Sequence, residues 1–412
     1  MSQLTTSEIN IALLTLGGLV LGLGLLSGWL KEQLFLSDPL IALVAGVLLS
    51  PSVFGLIDLT HWGKPEMILE QGARLAIAIQ VMGVALRLPK AYPFNHWRIL
   101  TVLLGLLMPL MWLISGLLVY LLLDLPFWVA MLVGAVITPT DPVISTSVVT
   151  GKVAEQNLPE HIRHTISAES GANDGLAYPF VLLPILILTK PPQEALLHWL
   201  TQTLLWEVGA AAVMGALIGY LAGWLLGWAE TKQTLEKQSF LAYTVALSLA
   251  VLGLVKLVGS DGILAVFAAG ITFDMVVGGR DRAEEENVQE AVDRFFTLYI
   301  FVILGLYLPW QQWFELGWKG LVLVVAILLL RRLPVVLLLR PLLGRLRGMQ
   351  DALFLGWFGP IGVAALFYAF LSVRQAGVEE PWIIGSLVIC ASILVHGCTA
   401  VPLAKLYAQQ HR

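Results

Sequence analysis

The feature that most limits how this chain can fold is the recurrence of long apolar runs along its whole length. The first extends from Ile9 to Leu30, and similar runs follow with only short polar segments between them. A helix needs about 20 apolar residues to cross the hydrocarbon core of a bilayer. Only 13% of the residues are charged, whereas soluble domains average about 25%. The mean hydropathy is +0.83. The sequence therefore predicts an all-α polytopic membrane protein.

Charge clusters and Gly/Pro pairs divide the chain into about thirteen candidate transmembrane helices. The first is too long for the core of a signal peptide and lacks a small-residue cleavage site after it. No long polar segment separates the candidates, so we expect one transmembrane domain over residues 9–405 of 1–412 and no soluble regulatory domain. The candidates are 9–30, 38–57, 71–88, 98–123, 126–149, 162–188, 198–228, 239–258, 262–278, 292–309, 318–340, 349–373 and 381–404.

The distribution of positive charge predicts the orientation. If the loop after the first span and every second loop after it are cytoplasmic, that side holds sixteen of the 24 Lys and Arg residues and the other side holds six. Because Lys and Arg are enriched in cytoplasmic loops, the N-terminus is expected outside and the C-terminus inside, in the cell (plasma or inner) membrane. The net charge of −4 indicates no nucleic-acid partner. Cys390 and Cys398 lie in an apolar segment and indicate neither a metal site nor a disulfide.

Two spans contain residues that interrupt a helix. The fifth reads LVGAVITPTDPVISTSVV and the twelfth reads LGWFGPIGVAALFYAF. Proline removes a backbone donor and disfavours helix in the residue before it. Backbone groups without helical partners are tolerated within a membrane where they line a cavity. A pair of broken helices, one in each half of the chain, indicates the binding site of a secondary transporter. Kinks used only for packing are the alternative. The interrupting residues are Pro139, Pro142, Gly359, Pro360 and Gly362.

The sixth span carries polar side chains in the segment SAESGANDGLAYPF. On a helix over 162–188, Glu169 and Asn173 share one face, while Ser170 and Asp174 share the adjacent face. A carboxylate within the membrane costs about 3 kcal/mol on insertion scales, so it usually has a function. The segment is therefore a candidate functional site.

The fifth span offers further oxygen atoms to the same site. Thr140 and Asp141 lie in its open turn and could supply carbonyl and carboxylate oxygens. A dehydrated monovalent cation needs several such hard ligands. Asp174 would then hold either a cation or a proton, which is the coupling that an exchanger requires.

Two arginines inside the eleventh span could balance a carboxylate. Arg331 and Arg332 follow the apolar run LVLVVAILLL. Adjacent residues on a helix point about 100° apart, so one of the two is expected to face inward and pair with Glu169. The alternative is that both side chains extend to the cytoplasmic interface.

Four motifs, TPTDPV, SAESGANDGLAYPF, SDGILAVFAAG and GWFGPIGVAALFYA, occur in this order along the chain. Together they resemble the monovalent cation:proton antiporter superfamily, in its NhaP/NHE branch, and are closest to relatives of fungal plasma-membrane Na⁺(K⁺)/H⁺ antiporters. The resemblance covers about residues 9 to 405. It implies inverted repeats with two broken crossing helices, a core domain and a dimerisation domain, elevator-type alternating access and a homodimer.

The resemblance also implies roles for individual residues. Asp174, preceded by Asn173, matches the ion-binding carboxylate, and Glu169 matches the acid that pairs with an arginine. The family's spacing places Arg331 rather than Arg332 at the arginine position. The other matched positions complete a Na⁺ site; they are Thr140, Asp141 and Ser170.

One departure concerns the twelfth span, where many relatives have an arginine and this chain has Gly359-Pro360-Ile361-Gly362. The fungal-like branch shares this departure. The Asn-Asp pair is associated in the family with electroneutral exchange.

The function expected from these observations is exchange of Na⁺ for H⁺, with Li⁺ or K⁺ as further candidate substrates and no cofactor besides the transported ions. A K⁺-preferring antiporter and a small-anion carrier are the alternatives among transporters. An anion carrier would need exposed positive charge at its site. A channel would need a continuous pore. An intramembrane hydrolase would use Ser167 or Ser170 with His164. Neither serine lies in a G-x-S-x-G turn, so we expect no enzyme.

Overall fold

The structure is a computed structural model that describes residues 5–232, 239–277 and 282–410. All regular elements within these ranges are helices, which confirms the predicted fold class. The α-helices are α1 Thr6–Gln33, α2 Asp38–Leu49, α3 Pro65–Arg87, α4 Tyr92–Asn95, α5 Trp97–Val102, α6 Met108–Leu123, α7 Phe127–Val136, α8 Thr146–Val149, α9 Gly151–Asn157, α10 Glu160–Leu176, α11 Tyr178–Thr189, α12 Pro192–His198, α13 Ala211–Thr231, α14 Ser239–Leu257, α15 Gly262–Val276, α16 Arg282–Leu306, α17 Trp310–Leu330, α18 Leu333–Leu339, α19 Met349–Trp357, α20 Val363–Ala376 and α21 Glu380–Gln410. Wider π-helical turns over Leu103–Leu107 and Trp199–Ala210 join α5 to α6 and α12 to α13.

Seven helical stretches in the described part of the chain are long and apolar enough to cross a membrane, and six shorter apolar helices accompany them. Each predicted span overlaps one of these stretches. The protein is therefore an integral membrane protein, while the number of crossings and the orientation of the termini stay predictions. Lys237, Arg280 and Arg412, which were counted as cytoplasmic charges, lie outside the described residues.

Both predicted helix breaks are present. Helix α7 ends at Val136 and no regular helix resumes until Thr146. Helix α19 ends at Trp357, and α20 begins at Val363. The two open segments meet, because the backbone N–H of Asp141 donates to the carbonyl of Pro360 at 2.8 Å. The breaks therefore cross each other inside the protein.

The sixth predicted span is divided into α10 and α11 instead of forming one helix over 162–188. Pro179 lies in the first turn of α11 and has no N–H to continue the bonding pattern of α10. Helix α10 is buried along most of its C-terminal half, from Ala168 to Gly175. It therefore places its polar residues inside the protein rather than against lipid.

Close helix packing brings α13 and the π-helical segment before it against α15. A Cβ atom at Gly215 would lie 2.7 Å from the Cα of Ala265, which is too close for a real contact. Small residues at such positions let two backbones approach, which is common between membrane helices. Glycine in α13 therefore positions the start of α15 beside residues 199–210.

Candidate ion-binding site

Asp141 joins the two broken helices at their crossing. Its Oδ1 accepts hydrogen bonds from the N–H groups of Val143, at 2.7 Å, and Ile144, at 2.9 Å. Its Oδ2 accepts one from the N–H of Val363, at 2.7 Å. The Val143 and Ile144 groups lie within the first break, and the Val363 group begins α20, so these backbone donors lack helical partners. The buried carboxylate thus satisfies amides on both sides of the crossing, and its expected role as a cation ligand stays a prediction.

Arg331 satisfies the opposite ends of the same breaks. Its Nη1 donates to the carbonyls of Ile137, at 2.5 Å, and Thr138, at 3.1 Å, and its Nη2 donates to the carbonyl of Gly359. These carbonyls follow the last turns of α7 and α19, where the partial charge of a helix is negative. The positive side chain of Arg331 therefore binds carbonyls after α7 and α19, while the negative side chain of Asp141 binds amides within the first break and at the start of α20.

Glu169 forms a buried ion pair with Arg332, at 2.5 Å from Nη1 to Oε1 and 2.8 Å from Nη2 to Oε2. Both side chains are 3% exposed. Arg331, which the family's spacing implies as the partner, does not pair with Glu169; the alternative, Arg332, does. The chain leaves the regular helix at this point, with φ −118° at Arg332 against −59° at Arg331, so the two adjacent side chains reach different targets.

The alternative in which both arginines extend to the interface is also wrong, because each is 3% exposed. The Nε of Arg332 donates to the carbonyl of Leu355 at 2.9 Å, and a Cβ atom at Gly359 would overlap the Arg332 side chain. The glycine in the second break therefore provides the space through which Arg332 reaches Glu169.

Three other predicted residues form one hydrogen-bonded group. The Asn173 Oδ1 accepts from the Thr140 N–H at 3.1 Å, and its Nδ2 donates to the Thr140 Oγ1 at 2.8 Å. The Thr140 and Ser170 hydroxyls lie 3.0 Å apart. Helix α10 is thereby tied to the first break at the point where the sequence places the site.

Asp174 differs from Asp141 and Glu169 because one of its carboxylate oxygens has no partner in the described residues. It is 1% exposed, and its Oδ1 has no hydrogen-bond partner in the described ranges. Its backbone carbonyl accepts from the Tyr368 hydroxyl at 2.5 Å. Buried carboxylate oxygens normally have partners. An unpaired one beside the crossing can accept a cation or a proton.

Sequence reasoning did not identify two residues that hold the crossing. Tyr368 contacts the end of α10, and the Ser392 hydroxyl accepts from the Ile361 N–H at 2.7 Å. Both lie in apolar helices at positions with no local signal, and their partners are distant in sequence.

The model of the transmembrane region of the sodium/hydrogen exchanger family matches residues 14–406 of this chain. The chain belongs to the sodium/hydrogen exchanger family. This result confirms the resemblance that the four motifs indicate.

Relatives of this exchanger-family chain include a Na⁺/H⁺ antiporter of Saccharomyces cerevisiae, 33% identical over 427 residues that cover 96% of this chain and 43% of the relative. Na⁺/H⁺ antiporter 2 of Zygosaccharomyces rouxii is also 33% identical, over 96% of this chain and 53% of the relative. The chain thus spans about half the length of these curated relatives.

The fold is similar to that of a solved exchanger structure. The sodium proton antiporter MjNhaP1 of Methanocaldococcus jannaschii, at pH 8, superposes with a TM-score of 0.70 at 19% identity. The match covers 96% of this chain and 98% of that one. It shows a shared fold.

Replacing Gly362 by alanine is expected to disrupt the crossing in this exchanger fold. The added Cβ atom would overlap the Asp141 carboxylate, so the three amide bonds of that carboxylate could not all be kept. We expect a loss of about 1–3 kcal/mol of stability from the displaced contacts. Thermal unfolding in detergent measures the effect.

Gly385→Ala is the matched control for this substitution. A Cβ atom there would lie 3.7 Å from Val136 and 4.0 Å from Ala369, which are ordinary contacts. Equal melting temperatures for Gly362→Ala and Gly385→Ala would show that the close approach at Asp141 is not needed.

Proposed function

We propose that this chain exchanges Na⁺ for H⁺ across a membrane, with Asp174 as the site that holds the cation and the proton in turn. The observation that carries the proposal is the buried Asp174 carboxylate, which keeps an unpaired oxygen beside two crossing broken helices. The fungal relatives named as Na⁺/H⁺ antiporters support it. Competition of two cations for one carboxylate couples their movements without any enzyme activity.

The partners of the neighbouring charges favour a cation over an anion as the transported ion. Arg332 is paired with Glu169, and Arg331 is bound to backbone carbonyls. A small anion would need free positive charge at the site. Asp174 instead provides negative charge, with the Asn173, Thr140 and Ser170 group beside it.

We place Na⁺ at Asp174 with Thr140, Ser170 and Asp141 as the further candidate ligands. The protein is proposed to work as a homodimer in the cell membrane, with the N-terminus outside and an elevator-type movement of the core. The support is the positive-charge distribution and the family to which the chain belongs.

Proteoliposomes test the proposed function. Purified protein is reconstituted with a pH-sensitive dye inside, and Na⁺, Li⁺ and K⁺ are added in separate experiments. Dissipation of an imposed pH gradient by Na⁺ is expected, and the Li⁺ and K⁺ arms measure the selectivity. If none of the three ions moves protons, the proposal is wrong.

The exchange is expected to be electroneutral, with one proton for one Na⁺. Glu169 is neutralised by Arg332, and three backbone amides bind the Asp141 carboxylate, so Asp174 is the one of these three acids that is left to change its ligand. Movement of a net charge would couple transport to the membrane potential by about 2.3 kcal/mol per 100 mV. In liposomes clamped with K⁺ and valinomycin, we expect the Na⁺-driven proton flux to be independent of voltage.

A control experiment for voltage dependence measures K⁺ transport by the protein itself. If the proton flux rises steadily with the imposed voltage after this correction, a second proton moves in each cycle.

A further inference from the structure

A second group of unpaired buried oxygens lies near the start of α15. In the described part of the chain, no hydrogen-bond partner is present for the Thr203 Oγ1, the Glu207 Oε2 or the Asp261 Oδ2. Thr203 is fully buried and Asp261 is 4% exposed. Buried polar atoms are nearly always paired. Three unpaired oxygens in one place indicate that something from outside the chain supplies the missing contacts.

The backbone holds this group in a defined arrangement. The N–H of Asp261 donates to the carbonyl of Glu207 at 2.9 Å, and the Ser260 hydroxyl donates to the same carbonyl at 3.0 Å. The Asp261 Oδ1 caps α15 by accepting from the N–H groups of Ile263, at 2.9 Å, and Leu264, at 3.4 Å. The cap uses one carboxylate oxygen and leaves the other for a ligand.

Thr203 supplies an oxygen of a different kind. It lies one helical turn before Glu207 in the π-helical segment, and its hydroxyl faces the Glu207 carboxylate. In an α-helix, a threonine hydroxyl commonly bonds the carbonyl four residues earlier. Thr203 does not, and its hydroxyl is directed to the Glu207 carboxylate instead.

The charges at this group favour a monovalent cation. Glu207 and Asp261 are both acidic, and Lys256 is the basic side chain of α14 that faces them. Lys256 is exposed and lies 6.0 Å from the centre of the Tyr178 ring, outside the ion-pair distance of either acid. His198 faces Glu207, and Arg374 faces Tyr178. When both acids are ionised, Lys256 leaves one negative charge that a monovalent cation balances and a water molecule does not.

The group is close to Asp174. A Cβ atom at Gly175 would lie 2.8 Å from the backbone N of Leu264, so the first turn of α15 packs directly on the end of α10. Tyr368, whose hydroxyl binds the Asp174 carbonyl, is subject to the charges of both Asp174 and Asp261. The two acidic centres are therefore separated by one helix contact and one tyrosine.

We propose that Thr203, Glu207 and Asp261 form a second binding site for a monovalent cation, next to Asp174. The three oxygens are hard ligands of the type that Na⁺ and K⁺ prefer. The role of the site as a station on the path of the transported cation rests on the proposed exchange function. The binding itself does not, because it can be measured without transport.

Equilibrium binding of radioactive ²²Na⁺ to purified protein in detergent tests the proposal at about pH 8, where carboxyl groups are ordinarily ionised. The Asp174→Asn protein is expected to keep saturable Na⁺ binding at the second site. Adding Thr203→Val removes one oxygen without changing charge and should weaken that residual binding about tenfold. Adding Asp261→Asn should abolish it.

Glu194→Gln is the matched control, because Glu194 is an exposed acid on the same part of the chain and pairs with Lys190. It should leave the residual binding of Asp174→Asn unchanged. The proposal is overturned if Asp174→Asn binds no Na⁺, or if Thr203→Val and Asp261→Asn leave its residual binding intact. These outcomes are separate from loss of exchange, which tests Asp174 in liposomes.

Discussion

Asp174→Asn should abolish Na⁺/H⁺ exchange while the protein remains folded. The substitution keeps the size of the side chain and removes the group that exchanges a cation for a proton. Because the Asp174 Oδ1 has no hydrogen-bond partner in the residues that the structure describes, no side-chain hydrogen bond to that atom is lost. The Tyr368 hydroxyl binds the backbone carbonyl of Asp174, so this contact is also kept. Proton flux in proteoliposomes measures the loss.

The control for Asp174→Asn is Asp124→Asn. Asp124 is an acid with an 80% exposed side chain that pairs with Lys319 at 2.8 Å. We expect this control to exchange as the unchanged protein does, since exposed pairs contribute about 0–1 kcal/mol. Robust exchange by Asp174→Asn protein, with normal thermal stability, would show that another group carries the proton.

The helix breaks and the acidic segment could be predicted from sequence because their signals are local. Pro139 and Pro142 remove backbone donors wherever they stand in a helix, and Gly359 with Pro360 does the same in the second half. Carboxylates within an apolar span are costly, so Glu169 and Asp174 stand out without any knowledge of their neighbours.

The roles of the two arginines could not be assigned from sequence because they depend on a local change of backbone direction. Arg331 still has helical angles, whereas Arg332 departs from them before α18 begins. That departure sends adjacent side chains to different targets, one to carbonyl groups and one to Glu169. Pro334 disfavours helix in the residue before it, but it does not indicate which arginine faces Glu169.

Contacts between residues far apart in sequence explain the other features of the site that the sequence did not predict. Asp141 binds an amide 222 residues away in sequence, at Val363. Glu207 and Asp261 approach each other because Gly215 allows α13 to pack closely on α15. Glu207 and Asp261 alone are ordinary acidic side chains near span ends, so the sequence does not indicate that they meet.

Single substitutions of the Glu169–Arg332 pair should destabilise the protein more than the double substitution does. Glu169→Gln leaves the Arg332 guanidinium buried without its counter-charge, and Arg332→Gln leaves the Glu169 carboxylate in the same position. Removing one partner of a buried pair costs about 3–5 kcal/mol, because the remaining charge has lost its compensation. Replacing both removes the two charges together, so the melting temperature should partly recover.

Thermal unfolding, monitored by tryptophan fluorescence, can measure this double-mutant cycle, since the chain contains 14 Trp residues. Arg345→Gln, at an exposed arginine, is the control and should leave the melting temperature unchanged. The same cycle with Arg331→Gln in place of Arg332→Gln should show less coupling to Glu169, because Arg331 binds the carbonyls of Ile137, Thr138 and Gly359 instead. Additive effects of Glu169→Gln and Arg332→Gln would mean that the two charges do not stabilise each other, since residues in direct contact are expected to couple. Strong coupling to Arg331 alone would instead restore the partner that the resemblance to the family implies and would place the ion pair one residue earlier in the chain.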